Sequence, residues 1–177
     1  FKENKYLLGK SDKNSVEFDI LLFVNRDTKE ISIPTNIKII SSYSFSTSKI
    51  EEIFIPPNVS KICECAFIGC PNLIKVEIPA NSNLQIIEES AFRNNSIKEI
   101  FIPPNVSKIC DYAFAYCKDL IKVEIPANSN LQIIEEHAFS YTKIEEIFIP
   151  PTVSKICCYS FSECSELKKV EIPANSN

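Results

Sequence analysis

The side chains that could support acid–base, nucleophilic or metal chemistry are few or regularly repeated in this sequence of 177 residues, which holds one histidine and eight cysteines. The single histidine, His137, cannot form an H-E-x-x-H zinc site, and a Ser-His-Asp triad would depend on it alone. His137 also stands where an almost identical earlier segment has Ser90, which indicates a tolerated surface substitution. No pair of titratable groups marks a non-repeating pocket. We therefore expect no catalytic residue and no enzyme activity.

The cysteines follow a repeat rather than a disulfide or zinc pattern. Six of them form two columns with steps of 47 residues: Cys63, Cys110 and Cys157, and Cys70, Cys117 and Cys164. If 47 residues make two stacked coils, the members are about 10 Å apart, beyond the roughly 7 Å between Cα atoms that a disulfide spans. We expect at least six free thiols, with the Cys70 column buried. Cys65 and Cys158 lie outside the columns and are candidates for exposed thiols. The patterns C-E-C (63–65) and C-C (157–158) are weak zinc signals without a second pair of ligands, so we expect no metal and no cofactor.

Composition excludes several other classes of function. Two glycines are too few for a dinucleotide or P-loop phosphate cradle. The net charge is −4, with acidic and basic residues interspersed, and nucleic-acid binding would need a clustered basic patch. The longest apolar run, Ile20–Val24, is far shorter than the roughly 20 residues that span a bilayer. We expect neither nucleic-acid binding nor membrane insertion of this segment.

The chain is organised as a repeat. The tetrapeptide Ile/Val-x-Ile-Pro recurs at steps of 22, 23, 24, 23, 24 and 23 residues, with its proline at Pro34, Pro56, Pro79, Pro103, Pro126, Pro150 and Pro173. This is typical of a solenoid, in which each coil buries its apolar face only against the next. Residues 53–99 and 100–146 are identical at 35 of 47 positions, so two coils form a longer unit. We predict an irregular cap over residues 1–30 and a solenoid of about six or seven coils over 31–177, truncated at its C-terminus.

Each coil is predicted to hold one strand and one helical turn. The segments around Ile-x-Ile-Pro are rich in β-branched residues and end at a proline, which cannot extend a β-ladder. Further along, the i, i+3, i+4, i+7 spacing of a helical face occurs at Cys63, Ala66, Phe67 and Cys70. The predicted class is therefore α/β, with one parallel β-sheet face and short helices or 3₁₀ turns opposite. In the cap, an alternating strand is indicated by Phe18, Ile20, Leu22 and Val24.

The segment IFIPPNVSKICECAFIGCPNLIKV, residues 53–76, resembles the BspA-like leucine-rich repeat. The match runs over about residues 30–177, because the I-P, A-F and C positions recur at fixed offsets; Ser48, Asn95 and Thr142 replace the family's Cys. The resemblance implies a leucine-rich-repeat solenoid. It also implies a surface protein, since members occur on mucosal bacteria and mucosal parasitic protists and bind host matrix or other cells.

Two columns of side chains should lie on the open face of the sheet. Strand alternation places Ile53 and Ile55 inward and Phe54 outward. One outward column is Ser32, Phe54, Glu77, Phe101, Glu124, Phe148 and Glu171, and the other is Glu30, Glu52, Glu99 and Glu146 alternating with Lys75, Lys122 and Lys169. Strands about 4.8 Å apart would place each lysine beside two glutamates. Two interpretations stay open: the charges stabilise the sheet and lysine stems cover the Phe rings, or the Phe stripe is a docking site.

The leading functional hypothesis is a non-enzymatic cell-surface or secreted module that binds a protein, a matrix or host surface, or a glycan through many weak contacts on the open sheet. The alternative is a structural spacer or self-associating stalk without a specific ligand. The sequence also stops in mid-coil at Asn177, so we expect self-association at the open C-terminal end or a longer array. In a secreted protein, the N-x-S motifs are candidate glycosylation sites at Asn58, Asn94 and Asn105.

Overall fold

A computed structural model describes residues 5–174 as a β-solenoid. Its strands are β1 Tyr6–Gly9, β2 Ile20–Val24, β3 Ile39–Ile40, β4 Glu52–Phe54, β5 Lys61–Ile62, β6 Lys75–Glu77, β7 Ile86–Ile87, β8 Glu99–Phe101, β9 Lys108–Ile109, β10 Lys122–Glu124, β11 Ile133–Ile134, β12 Glu146–Phe148, β13 Lys155–Ile156 and β14 Lys169–Glu171. They form two sheets along the solenoid. The front sheet has the order β14-β12-β10-β8-β6-β4, and the side sheet has the order β1-β2-β3-β5-β7-β9-β11-β13.

The front sheet is the predicted parallel sheet. Its strands pair in parallel with their counterparts one coil on, so Ile53 lies beside Val76 and Phe54 beside Glu77. The side sheet was not predicted. Each of its coil strands is two residues long. In β3, β5, β7, β9 and β11 the second residue, such as Ile62, is buried in the core, whereas both residues of β13 are exposed.

The predicted helical turns are wrong, because no helix occurs within residues 5–174. The third side of each coil, here called the turn side, comprises 41–48, 63–70, 88–95, 110–117, 135–142 and 157–164. In every coil, the residues two before and two after the central Phe have positive φ, as at Cys65 (54°) and Gly69 (66°). Such left-handed residues break a helix.

Hydrogen bonding between coils explains why the turn side has this non-helical backbone conformation. The amide groups of Cys65, Phe67 and Gly69 donate to carbonyls of the next coil at 2.8–2.9 Å. The intervening amide of Ala66 donates to the carbonyl of Cys63, three residues back, at 3.2 Å. The donors that a helix would use within itself therefore join one coil to the next, and two consecutive turns reproduce the helical spacing of buried residues.

A row of phenylalanines runs through the core. Stacked rings with centroids 4.4–5.5 Å apart connect Phe45, Phe67, Phe92, Phe114, Phe139 and Phe161. Isoleucine, leucine and valine side chains from both sheets surround this row. Each coil thus buries its apolar side chains against its two neighbours, as a solenoid requires.

The N-terminal segment extends the side sheet. Strand β1 pairs with β2 in antiparallel fashion, and β2 pairs in parallel with β3. The alternation expected through Phe18, Ile20, Leu22 and Val24 is broken in the structure. Val24 is buried, but Phe18 and Leu22 are exposed, and Leu21 is buried instead. The register of β2 follows the side sheet, in which Leu21 lies beside the core residue Ile40.

Candidate functional site

The open face of the front sheet presents the two columns of side chains identified in the sequence. The strand register places Lys75 beside Glu52 and Glu99, and Lys122 beside Glu99 and Glu146. It also places Glu77, Glu124 and Glu171 beside Phe54, Phe101 and Phe148, respectively. The columns therefore have the expected neighbours. Ser32 and Glu30 lie outside the strands of this sheet.

The lysines of this face form their shorter ion pairs along their own strands. Lys122 Nζ lies 3.3 Å from Glu124, and Lys169 Nζ lies 3.0 Å from Glu171. Lys75 also reaches a neighbouring strand, with Nζ 3.9 Å from Glu52 and 3.5 Å from Glu77. The hydrogen bond that Lys169 donates to Glu171 raises the pKa of Lys169. All these groups are more than half exposed, so solvent screens the charges and each pair contributes little to stability.

The phenylalanines of the same face are unequally exposed. Phe54 is 46% exposed, whereas Phe101 and Phe148 are half-buried. A shallow groove of about 500 Å³ is lined by Phe148 together with Lys122, Glu124, Glu146 and Lys169, among others. A smaller one, of about 250 Å³, is lined by Phe101 with Lys75, Glu77 and Glu99, among others. Each groove combines an apolar floor with charges of both signs.

A second group of side chains, which sequence analysis missed, lies on the turn side. Stacked rings join Tyr112 to His137 (centroids 4.8 Å apart) and His137 to Tyr159 (5.0 Å). A parallel stack joins Tyr116 to Tyr141 at 4.6 Å. All five rings belong to residues with positive φ. His137, expected as an unremarkable surface residue, is half-buried between two tyrosines.

Arg93 covers one end of both stacks. Its Cζ lies 5.2 Å from the ring centroids of Tyr112 and Tyr116, within the range of cation–π attraction. A signal for this group was present in the sequence, since the preceding unit has Cys65, Gly69, Ser90 and Asn94 at the places of Tyr112, Tyr116, His137 and Tyr141. Recognising it required knowing that these columns face outward and stack.

The family model described as the BspA type leucine-rich repeat region, in six copies, matches residues 18–131 and 85–177. The chain belongs to this family. A search of curated proteins finds no significant match.

Solved structures share the fold of this BspA-type chain. The pneumococcal vaccine antigen PcpA is 22% identical, with a TM-score of 0.77 over 92% of this chain and 47% of that one. A leucine-rich cell surface protein from Faecalibacterium prausnitzii is 23% identical, with a TM-score of 0.69 over 100% of this chain and 55% of that one. The T. pallidum leucine-rich repeat protein is 22% identical, with a TM-score of 0.69 over 94% of this chain and 68% of that one. The chain thus spans about half the length of the first two.

The residues at the cysteine position of the BspA-type repeat form a column of hydrogen-bonding side chains along the core. As expected, Cys70 and Cys117 are fully buried, but they are more than apolar filling: their Sγ atoms donate to the carbonyls of Phe45 and Phe92, both at 3.1 Å. Cys164, which was also expected to be buried, is only half-buried, and it makes the same bond to Phe139 at 3.2 Å. Where the family's Cys is replaced, Asn95 and Thr142 bond to carbonyls of the same row. This column therefore satisfies backbone groups inside the core.

The other cysteine column alternates with paired carboxylates. Cys63, Cys110 and Cys157 are half-buried, and the intervening coils hold Glu88 and Glu135. These carboxylates pair with Lys61 and Lys108 at 2.7 and 2.8 Å. Cys65 is buried rather than exposed, whereas Cys158 is exposed. Within residues 5–174, no group of three or more His, Cys, Asp or Glu side chains is placed to hold a metal ion.

Thiol reactivity should follow burial in this BspA-type chain. All eight cysteines are free, and burial raises the pKa of Cys110 and of Cys117 to about 12. Because the thiolate is the reactive form, we expect iodoacetamide at pH 8 to label Cys158 first and Cys117 only after unfolding. Mass spectrometry of non-reduced digests measures this order, and all eight thiols should be labelled in denaturant. Native labelling of Cys117 as fast as Cys158, or recovery of disulfides, would contradict it.

The candidate glycosylation sites are exposed. Asn58 and Asn105 also form hydrogen bonds to the preceding coil: their side-chain amides donate to the carbonyls of Thr35 and Ser82, both at 2.8 Å. Thr152, at the equivalent place in a later coil, makes the same bond at 2.9 Å. A structural role therefore accounts for the asparagine in two of the three motifs. In the described part of the chain, no helix is long and apolar enough to cross a membrane.

Proposed function

We propose that this chain is a non-enzymatic repeat module that binds a protein partner through the open face of its front sheet. The observation that carries the proposal is the regular recurrence of Phe54, Phe101 and Phe148 on that face, each beside a glutamate of the next strand. Identical units spaced two coils apart give several weak contacts to one extended partner, and their energies combine. The grooves beside Phe101 and Phe148 offer apolar contact with charged rims, the composition of many protein interfaces.

The proposed setting is the cell surface or the extracellular space. The names of two structural relatives support it, one being a vaccine antigen and the other a cell surface protein. In that setting the partner would be an extracellular-matrix or host-surface protein, and the module would act in adhesion and be accessible as a surface antigen. A glycan on such a surface is the other ligand class that the proposal includes. The candidate contact residues are the twelve Phe, Glu and Lys side chains of the front sheet, and Asn58, Asn94 and Asn105 stay candidate glycosylation sites outside its strands.

A second candidate function is a spacer or self-associating stalk. The observation that favours it is exposed apolar surface in the last described coil, where Ile156, Val170 and Ile172 are 43%, 46% and 55% exposed. Strand β14 is paired on one edge with β12, and its other edge, which has no paired strand within residues 5–174, is surface that a further coil or a second chain would cover together with these side chains. In this candidate function the Phe stripe would be without a ligand.

The decisive experiment replaces the three phenylalanines of the Phe stripe, Phe54, Phe101 and Phe148, with serine. A Phe54→Ser/Phe101→Ser/Phe148→Ser variant and the unchanged chain are compared for binding to immobilised fibronectin, laminin and collagen. We expect at least about a tenfold loss of affinity for whichever protein binds, because aromatic anchors dominate interface energies. The matched control is Tyr43→Ser/Ile74→Ser/Ile156→Ser, which removes three side chains that are 51%, 42% and 43% exposed and lie outside the stripe.

Two outcomes would contradict the proposal. Equal losses in the stripe variant and the control would show that general surface hydrophobicity drives binding. Unchanged binding by the stripe variant would place the contact elsewhere. Light scattering of the protein alone over the same concentrations tests self-association, the second candidate function. Self-association requires that the apparent molar mass rises with concentration and that it rises less in the Ile172→Ser variant.

A further inference from the structure

The front sheet opens at every second junction between coils. Strands β4 and β6, β8 and β10, and β12 and β14 pair over three residues each, whereas β6 and β8, and β10 and β12, pair over one. At the fully paired junctions the ladder continues past the strand, since the amide of Ile102 donates to the carbonyl of Glu124 at 2.9 Å. At the open junctions, the corresponding amides of Ile78 and Ile125 have no backbone partner within residues 5–174. Each open junction therefore leaves a backbone donor available.

The open junctions coincide with the two grooves of the front sheet. Ile78 and Phe101, on the two sides of the first open junction, line the groove of about 250 Å³. Ile125 and Phe148, at the second, line the groove of about 500 Å³. The grooves adjoin each other along the solenoid axis, because three residues line both: Glu99, Lys122 and Glu124. Strands β4 and β10 flank the first groove, and β8 and β14 flank the second, so both grooves lie inside the sheet.

The charge of this face favours a basic ligand. Its twelve outward side chains are six glutamates, three lysines and three phenylalanines, so negative charges exceed positive ones by three. Each lysine has its shorter ion pair with a glutamate of its own strand. Glu99 and Glu146 are exposed, and in the described part of the chain neither has an ion pair within 4 Å. Each precedes the phenylalanine of its groove by two residues, on the same side of the sheet.

The spacing of the grooves limits the conformation of the ligand. Equivalent residues of the two grooves are 47 residues, or two coils, apart, which is about 10 Å along the solenoid axis. In a β-strand, side chains on one side recur at about 6.7 Å, which does not match. In a polyproline II helix, side chains three residues apart lie on the same side at about 9.3 Å. A chain in that conformation can therefore place one equivalent side chain in each groove.

An α-helix also has a suitable interval, because side chains seven residues apart recur on one face at about 10.5 Å. Its backbone carbonyls, however, are bonded within the helix. A polyproline II segment has no internal hydrogen bonds, so its carbonyls are free to accept from the amides of Ile78 and Ile125. The unpaired amides of the grooves thus favour polyproline II over a helix.

We propose that the two grooves bind a basic segment of a protein partner in the polyproline II conformation, with arginine at every third residue. In this arrangement each guanidinium pairs with Glu99 or Glu146, and its plane packs against the phenylalanine of the same groove. The amides of Ile78 and Ile125 donate to carbonyls of the segment. This inference rests on the function proposed for the front sheet and adds the chemistry of the partner.

The test uses defined peptides. The probe is acetyl-Pro-Pro-Arg-Pro-Pro-Arg-Pro-Pro-amide, titrated into ¹⁵N-labelled protein and followed by chemical shifts. We expect saturable shifts of the amides of Ile78, Phe101, Ile125 and Phe148. The isomer acetyl-Pro-Pro-Arg-Pro-Arg-Pro-Pro-Pro-amide has the same composition, but its arginines point to different sides of the polyproline II helix. It should bind at least about tenfold more weakly, because only one arginine can occupy a groove at a time.

Two variants test the carboxylates with the same probe. Glu99→Gln/Glu146→Gln should bind it at least about tenfold more weakly, because both charge-assisted pairs are lost. The matched control is Glu89→Gln/Glu136→Gln, which changes the same charge at two exposed glutamates that are also 47 residues apart but lie on the turn side. The control should bind within about twofold of the unchanged chain.

Several results would overturn the proposal. Equal affinity for the two peptide isomers would show that the spacing of the arginines is not recognised, and equal affinity for a citrulline analogue would show that no cation is. An equal loss in the control variant would assign binding to the overall charge. Shifts of the same amides with cellohexaose and none with the arginine peptide would assign the grooves to a carbohydrate instead.

Failure of this inference can be distinguished from failure of the proposed function. If Phe54→Ser/Phe101→Ser/Phe148→Ser loses binding to a matrix protein while the arginine peptide does not bind the unchanged chain, only the arginine-rich partner is excluded. If that variant keeps its binding to the matrix protein, the proposed function fails whatever the peptide does.

Discussion

Replacing Phe92 with alanine is expected to lower the free energy of unfolding by about 3–5 kcal/mol. Phe92 is completely buried, and its ring stacks on Phe67 at 4.9 Å and on Phe114 at 5.3 Å. Truncation removes the contacts on both ring faces at once. The cavity cannot collapse easily, because backbone hydrogen bonds of 2.8 Å from Phe67 to Ala91 and from Phe92 to Ala113 fix the spacing of the coils.

Urea denaturation followed by circular dichroism measures this loss. The matched control is Phe54→Ala, which removes the same atoms from a side chain that is 46% exposed and should cost under about 1 kcal/mol. Phe161→Ala should fall between them, since Phe161 is only half-buried and has one stacking partner in the row, Phe139. If Phe54→Ala destabilised the chain as much as Phe92→Ala, the inward and outward faces of the front sheet would be misassigned.

The front sheet could be predicted from sequence because its signal is local and repeated. Alternation about Ile53 and Ile55 fixes which side chains point inward, and the proline after each strand fixes where it ends. The equal spacing of the repeats then sets the register, so the neighbours of Lys75 and Phe54 followed from counting residues. The family resemblance rested partly on the same Ile-Pro positions, and the match to the family model confirmed it.

The other two sides of the coil could not be predicted in the same way. A two-residue strand such as Lys61–Ile62 has one inward side chain, and a single residue shows no alternation. On the turn side, left-handed backbone is usually marked by glycine or asparagine, but most of the positive-φ positions hold other residues, such as Ser90 and Tyr112. Their conformation is imposed by hydrogen bonds to the next coil, which a helical spacing rule does not consider.

The aromatic stacks illustrate a further limit of sequence reasoning. Tyr112 and His137 are 25 residues apart in the chain, yet their rings are 4.8 Å apart because they occupy the same place in adjacent coils. Coil-by-coil alignment places Tyr112, His137 and Tyr159 in one column of the sequence, and Tyr116 and Tyr141 in another. Whether those rings face outward still depended on the backbone, which was predicted incorrectly there.

Replacing Asn95 with leucine is expected to lower the free energy of unfolding by about 2–6 kcal/mol, although leucine is apolar and similar in size to asparagine. Asn95 is 5% exposed and joins three backbone groups. Its side-chain amide donates to the carbonyls of Phe67 (3.0 Å) and Phe92 (2.7 Å), and its Oδ1 accepts from the amide of Cys70 at 2.8 Å. Leucine satisfies none of them.

The expected loss of stability depends on which buried backbone groups lose their hydrogen-bond partner. The carbonyl of Phe92 keeps the Sγ donor of Cys117 at 3.1 Å. The carbonyl of Phe67 and the amide of Cys70 would each be left buried without the bond that Asn95 provides, at about 1–3 kcal/mol apiece. Hydrogen exchange offers a local readout, since the Cys70 amide should exchange much faster in Asn95→Leu than in the unchanged chain.

The matched control for this change is Asn95→Cys, which restores the residue that other coils of the family pattern carry. A thiol can donate to the Phe67 carbonyl, as Cys70 and Cys117 donate to the carbonyls of Phe45 and Phe92, so this variant should lose less than half as much stability as Asn95→Leu. Urea denaturation of the two variants side by side measures the difference. Should Asn95→Leu prove as stable as the unchanged chain, with the Cys70 amide still protected, burial alone would hold this column together, and the hydrogen-bonding role assigned to Asn95 and to the cysteines would be wrong.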